Sequence, residues 1–532
     1  MGKVSLYTCL LFLCSIFAIN AQVTTSSMSG KITSATEMNE PVIGATVVAI
    51  HEPSGTHYGA VTNVDGRYTI QGMRTGGPYS VEVSYVGYQK STYKNIRLEL
   101  GNNYQLNVSM KESAEALNEV VVTGVASKKA LTGAGHNFST EKIEDSPTVD
   151  RHIYDIVKNM PMAQTNKIGG ISFAGSNNRY NSFQIDGTVS NDVFGLTASG
   201  TNGGQSNANP ISMDAIQEIQ VVVSPFDVRQ GGFTGGGINA ITKQGTNKFH
   251  GSAYTYYTNQ KMYGKYNAAK DYEESKLDTQ HTTTYGFSLG GPIIKNKLFF
   301  FGNVEKISET YPSRYYPGST NYTNSLTPAI ADQILARYQQ ITGIKDVYGA
   351  RDVDQSSLGI LARIDWNINS NNKLAIRYQH NNSSSDNYSS GSNTYYFNNS
   401  GYTMKNQTNS FVAELNSHIS NKLYNEFRGS LSFVRDHREV PYEAPIIQIK
   451  SSSDTGNVGV YLGTEYSSGA NRLNQNIYSF EDNLSLYEGN HTFTFGTHNE
   501  IFHMENLFIQ GNNGRWIYNN LSAFLNDQAA QF

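Results

Sequence analysis

From Phe249 onward, hydrophobic and polar residues alternate along the chain. In the clearest run, one set of alternate positions is apolar, namely Ile360, Ala362, Ile364, Trp366 and Ile368. The opposite face of that run is polar or charged, with Arg363, Asp365 and Asn367. A period of two predicts β-strands, and an apolar face backed by a polar face is typical of membrane barrels, where lipid meets one side and the lumen the other.

Two further runs show the same spacing. In the first run, polar Thr284 and Ser288 alternate with the apolar positions Tyr285, Phe287 and Leu289. In the second, Glu426 and Arg428 lie opposite the apolar positions Leu423, Phe427, Leu431 and Phe433. Their connections alternate in length, with short turns near 295–296, 369–372, 420–421 and 488–490. Long polar loops cover about 259–280, 311–356, 383–406 and 438–474. Outer-membrane barrels combine short periplasmic turns with long extracellular loops, so this pattern predicts the side on which each connection lies.

The region before the alternating strands divides into two parts. Residues 29–110 contain short β-like runs separated by turn residues, among them Asp65-Gly66, a strong hairpin signal, and predict a small β-sandwich. Residues 128–246 mix strands, glycine-rich turns and a helix that we expect to begin at Ser146-Pro147 and to end before Pro161. A phosphate-binding loop is disfavoured, because no Gly-Lys-Ser/Thr sequence follows the glycines.

A short apolar run, Val120–Val122, stands between flexible, charged flanks. A lone extended segment with free backbone donors and acceptors can add to the sheet of another protein. A buried strand of an α/β domain would have the same local sequence, so the run alone leaves both interpretations open.

The first 21 residues predict a cleaved signal peptide, with Lys3 before an apolar stretch and Ala21 before Gln22. Both cysteines, Cys9 and Cys14, lie within it, so no disulfide framework or cysteine metal site is expected in the exported chain. The chain has 40 basic and 44 acidic residues, which gives no sign of nucleic-acid binding. The sequence predicts no catalytic constellation, no metal site and no cofactor; His498 and His503 are five apart rather than four and lie on a predicted strand.

Three stretches carry a family resemblance. GKITSATEMNEPVIGATVVAI with TNVDGRYTIQGM resembles the carboxypeptidase-regulatory-like domain of Bacteroidetes outer-membrane receptors. NEVVVTG, from Asn118 and Glu119 through Val120, Val121 and Val122 to Thr123 and Gly124, resembles their TonB box. PISMDAIQEIQVVVSPFDVRQGGFTGGGINAITKQGTNKFHGSAY resembles the plug domain and first strand of Oar-like (SusC/RagA-related) TonB-dependent receptors.

The resemblance implies an all-β-dominated fold in five parts. These are a signal peptide (1–21), a regulatory-like β-sandwich (22–112), a TonB-box linker (113–127), an α+β plug domain (128–246) and the N-terminal part of a transmembrane antiparallel β-barrel (247–532). The family's barrels have 22 strands, of which we count about nine, so we expect a truncated barrel. The ending NNLSAFLNDQAAQF is expected to be a loop helix rather than a final strand.

The resemblance also implies a function and partners. A nutrient ligand of unknown class would bind outside, and TonB, energised through ExbB and ExbD, would pull on residues 118–124 to import it. We expect the plug apex to contact the ligand through Asn177, Asn178, Arg179, Tyr180 and Asp186, although Arg179 and Asp186 could instead form an ion pair. Outer-membrane lipids surround such a barrel, and a SusD-like surface lipoprotein is a further candidate partner. The alternatives are a surface-exposed adhesion protein anchored by barrel strands, an exported enzyme with an accessory sandwich, and a truncated receptor without transport activity.

Overall fold

The fold is taken from a computed structural model of the chain. It describes residues 23–532 apart from 37, 113–119, 123–132, 149–150, 166–169, 226, 265, 268–273, 276, 323–324 and 490. The expected signal peptide, Asn118, Glu119, Thr123 and Gly124 lie outside the described residues. No helix in the described part of the chain combines the length and hydrophobicity needed to span a membrane.

Two small sheets form the predicted N-terminal sandwich. One sheet has the order β4-β1-β7, with β8 also paired to β1, and the other has the order β3-β2-β5-β6-β9. The strands are β1 (Ser26–Ser34), β2 (Thr46–His51), β3 (Thr56–Val61), β4 (Arg67–Met73), β5 (Gly76–Ser84), β6 (Ser91–Leu98), β7 (Asn103–Gln105), β8 (Val108–Met110) and β9 (Val120–Val122). Alternate residues point inward to a shared apolar core that includes Met28, Ile32, Ile70 and Tyr79.

A five-stranded sheet in the order β10-β15-β16-β13-β14 forms the centre of the predicted plug, beside a two-stranded β11-β12 ladder. Its strands are β10 (Gly133–Ser139), β11 (Ala163–Thr165), β12 (Ile171–Phe173), β13 (Ser182–Ile185), β14 (Thr188–Val189), β15 (Ile216–Pro225) and β16 (Gly237–Thr242). The helices are short: α1 (Thr140–Asp145) and α2 (Ile153–Val157). The helix expected from Ser146 is therefore wrong in its extent, because Ser146 is an extended C-cap and only Ile153 onward repeats the helical spacing.

Nine long antiparallel strands form one sheet within the described residues, in the order β17-β20-β21-β22-β23-β25-β26-β29-β30. They are β17 (His250–Asn259), β20 (His281–Ile294), β21 (Leu298–Pro312), β22 (Asp352–Asn367), β23 (Asn372–Asn387), β25 (Tyr402–Ser420), β26 (Leu423–Glu439), β29 (Ala470–Glu488) and β30 (His491–Ile509). Each pairs with its neighbour along the chain, with connections alternately short and long. The expected barrel wall of about nine strands is confirmed.

The two faces of this wall have opposite chemistry. Outward positions such as Ile364, Trp366 and Phe411 are each at least 40% exposed, whereas inward positions such as Arg363 and Glu426 are buried. A soluble protein would place these sets the other way round. The pattern is that of a wall with lipid outside and a packed polar interior, as the alternation predicts.

The long loops are more ordered than their polar composition indicates. Helices α3 (Pro328–Thr342) and α4 (Leu521–Leu525) pack with a sheet in the order β24-β28-β27-β31 around a core that includes Ile334, Tyr395, Val460 and Phe524. The strands are β24 (Thr394–Tyr396), β27 (Ile446–Ile449), β28 (Gly459–Leu462) and β31 (Arg515–Tyr518), and a separate loop ladder pairs β18 (Tyr266–Asn267) with β19 (Glu274–Ser275). We call the assembly of α3, α4 and the sheet β24-β28-β27-β31 the loop cap. The helix expected near the end of the sequence is present as α4.

Short 3-10 helices complete the secondary structure of the described residues: Asn178–Tyr180, Gly204–Ser206, Met213–Ala215, Thr320–Tyr322, Asn398–Ser400 and Ser453–Thr455.

Candidate functional site

The sandwich is docked at the end of the wall that carries the short turns. Against the wall, His418 Nε2 lies 3.1 Å from the Gln71 carbonyl oxygen, and the Asn367 amide donates to Thr56 Oγ1 at 3.0 Å. Against the plug, the Gln217 amide donates to the Thr75 carbonyl at 3.0 Å. Since short turns face the periplasm in outer-membrane barrels, the sandwich lies on the periplasmic side.

A buried carboxylate sits where the sandwich meets the plug. Glu218 Oε1 accepts hydrogen bonds from the Leu100 backbone N–H at 2.9 Å and from the Asn137 amide at 3.0 Å. The Gln220 amide donates to the Leu100 carbonyl at 2.7 Å. Burial raises the pKa of Glu218 to about 7, against the smaller opposing effect of these donors. The sandwich–plug contact is therefore sensitive to protonation of one group.

Asp186 joins the plug to the inside of the wall. It occupies the first turn position of an Asp-Gly hairpin between β13 and β14, with φ of 48° at Asp186 and 69° at Gly187. Its carboxylate lies 3.2 Å from Arg363 Nη1 and 3.4 Å from Arg377 Nε. It also accepts hydrogen bonds from the Thr242 backbone and hydroxyl, each at 2.8 Å.

This placement corrects the expected role of Asp186. The carboxylate is buried and fully engaged with wall arginines, because the hairpin turn aims it at the wall. It is therefore not available to an external ligand in this state. Nor does it pair with Arg179, the alternative that the sequence left open.

A second ionic cluster lies beside the first. Arg428 contacts Glu414 at 3.0 Å, Glu426 at 2.8 Å and also Glu481, all on inward positions of the wall. Thr24, just after the expected cleavage site, donates to Glu414 at 2.9 Å and accepts from Arg428 at 3.1 Å. On the plug side, the Asn239 amide donates to the Val23 carbonyl at 2.8 Å, so the start of the described chain is held between plug and wall.

The other four expected plug-apex residues remain together at the surface. Asn177 caps a single 3-10 turn, Asn178–Tyr180, by accepting from the Arg179 backbone N–H at 3.0 Å. The side chains of Arg179 and Tyr180 are exposed, and Asn178 donates to the Ala198 carbonyl. This turn adjoins the plug loop that lines the cavity described next.

A cavity of about 940 Å³ separates the plug from strands β17, β20, β21 and β22. The wall residues that line it, including Thr258, Thr282 and Gln355, lie in the halves of their strands that lead to the long loops. Sequence reasoning missed Arg151, which lies over the rings of Tyr254 and Tyr256 at 4.9 and 4.6 Å. Arg151 also donates to the Tyr256 hydroxyl at 3.1 Å, and Tyr254 donates to Glu305 at 2.6 Å.

The cavity can hold a small polar ligand between the plug and the wall, and it extends to the halves of the strands that lead to the long loops. Its lining combines an arginine, aromatic hydroxyls and charges of both signs. Such a lining favours a ligand that is oriented by hydrogen bonds rather than by its net charge. Burial lowers the pKa of the lining residue His152 to about 4, so this ring is neutral near pH 7.

The predicted coupling segment, residues 118–124, is partly described. Val120–Val122 pairs in parallel with β6, where Ser91, Thr92 and Tyr93 lie opposite Val120, Val121 and Val122. The part expected to be a linker thus contributes an edge strand to the sandwich. This strand belongs to the sandwich, which lies at the short-turn end of the wall.

Comparison with known proteins identifies the family. Residues 27–111 match the carboxypeptidase regulatory-like domain. Residues 241–316 and 308–532, more than half of the chain, match the outer membrane beta barrel domain. The chain belongs to the outer-membrane β-barrel family of TonB-dependent receptors. Its relatives are receptors and transporters, not enzymes, and the family places this receptor chain in the outer membrane.

Individual relatives agree with this assignment. The TonB-dependent transporter Oar of Myxococcus xanthus is 29% identical over 258 residues, which cover 45% of this chain and 23% of Oar. The TonB-dependent receptor SusC of Bacteroides thetaiotaomicron is 31% identical over 133 residues, which cover 25% of this chain and 11% of SusC. The outer membrane transporter YddB from Escherichia coli shares the fold, with a TM-score of 0.52 at 14% identity over 72% of this chain and 50% of YddB. The receptor chain therefore matches half or less of each of these relatives.

Proposed function

We propose that this receptor chain serves TonB-dependent import of a nutrient ligand from outside the cell into the periplasm. The observation that carries the proposal is the position of Val120–Val122, an extended segment at a sheet edge on the periplasmic side of a plug that packs against the polar face of the wall. An exposed strand edge gives a partner protein main-chain hydrogen bonds without a preformed pocket. The proposed domain bounds remain those expected from the sequence.

Ligand capture would occur on the opposite side of the plug. The cavity around Arg151, Tyr254 and Tyr256 is the proposed binding volume, and the adjoining turn at Asn177, Asn178, Arg179 and Tyr180 is proposed to sense its occupancy. Passage then requires the plug to move against the ionic contacts of Asp186 with Arg363 and Arg377 of the wall. This is work that an external energy source must perform.

The proposed partners follow from this scheme. TonB would bind residues 118–124 and deliver energy from the inner-membrane proton gradient through ExbB and ExbD. The similarity to SusC supports a SusD-like surface lipoprotein as a further proposed partner above the loop cap.

Binding to the purified periplasmic domain of TonB tests the proposal. Val121→Pro removes a backbone donor from the segment and should weaken binding at least tenfold. Val86→Pro is the matched control, because Val86 precedes a positive-φ glycine in an exposed turn where proline is tolerated. Equal binding by wild type and Val121→Pro, or no binding by wild type, would overturn the proposal.

A further inference from the structure

In the described part of the chain, one edge of the coupling segment is paired and the other edge is not. Its strand, β9, stands at the end of the sheet order β3-β2-β5-β6-β9, and its inner neighbour is β6. Within the described residues, no strand pairs with its outer edge. A terminal strand with a free row of backbone donors and acceptors is a template for a further strand.

The same strand that holds the segment leads directly to the plug contact. β6 pairs with the segment at Ser91–Tyr93 through the register Ser91 to Val120, Thr92 to Val121 and Tyr93 to Val122. It ends at Leu98, two residues before Leu100, whose backbone N–H donates to Glu218 and whose carbonyl accepts from Gln220. The segment is thus held in extended form at a fixed place relative to the plug.

We propose that the regulatory-like sandwich presents the coupling segment to TonB, which adds its own strand to the outer edge of β9 while β6 keeps the inner edge. This inference rests on the proposed function and names the interaction surface within it. Ordering an extended segment costs conformational entropy for every residue fixed. A segment already held as a strand avoids part of that cost when the partner binds, which is the basis of preorganisation.

The rival arrangement is sequestration, in which TonB must displace the segment from β6. The two differ in the fate of the inner edge. Presentation keeps the pairing between residues 91–93 and 120–122 during binding, whereas sequestration requires that it break. The observed pairing favours presentation because, within the described residues, no strand occupies the outer edge of β9.

A disulfide across the pairing tests this directly. Thr92 and Val121 are register partners, and adjacent strands bring Cα atoms within the range that a disulfide can bridge. The sequence has no cysteine after Cys14, so Thr92→Cys with Val121→Cys introduces the only pair in the chain after the expected cleavage site. Lys94→Cys with Val121→Cys is the out-of-register control and should form the bond much more slowly.

The readout is the affinity of the full chain for the periplasmic domain of TonB. We expect the oxidised Thr92/Val121 pair to bind within about twofold of its reduced form. A tenfold or greater loss on oxidation, restored by reduction, would overturn presentation in favour of sequestration. Failure of this pair to oxidise faster than the control would also overturn it, because the inner edge would then not be formed in solution.

Hydrogen exchange on the wild-type chain gives an independent test without cysteines. With the TonB domain bound, the amides of Ser91, Thr92 and Tyr93 should stay as protected as before, while residues 118–124 gain protection. Increased exchange at 91–93 would contradict the inference. Absence of any protection at 118–124, together with absence of binding, would instead refute the proposed function itself.

Discussion

Replacing Asp186 with alanine should loosen the plug within the wall. The carboxylate compensates two arginines whose side chains are only 9% and 4% exposed. After its removal, Arg363 still contacts Asp365 at 2.9 Å. Among the described residues, the hydrogen bond left to Arg377 is that to the neutral Gln379 oxygen at 3.3 Å. Breaking one partner out of a buried ion pair costs about 3–5 kcal/mol. Because Arg363 retains a partner, we expect about 3 kcal/mol, a change of roughly a hundredfold in the equilibrium for plug opening.

Hydrogen exchange of the purified chain measures this loss. The amides of β16, the plug strand between β13 and β15, should exchange roughly a hundred times faster in Asp186→Ala. Adding Arg377→Met should recover most of the protection, because it removes the uncompensated cation rather than restoring the pair. Asp192→Ala is the control, since the Asp192 carboxylate accepts from the Phe194 and Thr197 backbone N–H groups in the same loop. Wild-type exchange in Asp186→Ala, or no recovery in the double variant, would refute the reasoning.

Three further predictions test separate parts of the structure. Burial raises the pKa of Glu218 to about 7 when the sandwich is docked on the plug, so docking should weaken by about 3 kcal/mol as the pH rises from about 4.5 through 7. Glu218→Gln should flatten this pH dependence, measured by hydrogen exchange of the Leu100 amide. An unchanged slope in the variant would contradict the prediction. Phe411→Arg places a charge on the lipid face at mid-strand and should destabilise the fold in lipid vesicles by about 2–4 kcal/mol. Tyr285→Arg, nearer the long loops, should destabilise it by about 0–1 kcal/mol. Equal losses of stability would contradict the proposed membrane depth. Ile334→Ala should destabilise the loop cap by about 2–5 kcal/mol and make it sensitive to protease. Ile341→Ala, on the exposed side of α3, should leave the cap resistant. Equal cleavage of the two variants would contradict the assigned core.

Much of the wall could be predicted from the sequence because the alternation of apolar and polar residues along each strand shows which residues share a face. The alternation at Ile364, Asp365 and Trp366 depends only on neighbours along the strand, and the structure exposes the apolar positions and buries the charged one. The alternating connection lengths fixed the orientation for the same local reason.

The candidate site could be predicted less well because it depends on long-range pairing. Asp-Gly at 186–187 signals a hairpin, yet nothing local shows that the turn points at Arg363 and Arg377 on distant strands. Arg151 carried no motif, and its role depends on Tyr254 and Tyr256 of the wall.

The loop cap was missed for a different reason. Its helix α3 carries recognisable start signals, with Thr327 accepting from the Ile330 backbone and Pro328 at the first turn. Apolar positions at Ala331, Ile334 and Tyr338 repeat with helical spacing and are buried. The average polarity of the loop concealed this apolar spacing of three and four residues, which predicts a helix.

The most direct test of the central claim is photo-cross-linking in living cells that export the chain and contain its cognate TonB. A photoreactive side chain at position 121 should form an adduct with TonB, and the same group at exposed position 86 of the sandwich should not. Adduct formation at 121 and not at 86 is the result that TonB coupling predicts. No TonB adduct at any position from 118 to 124, or equal adducts at 121 and 86, would contradict it.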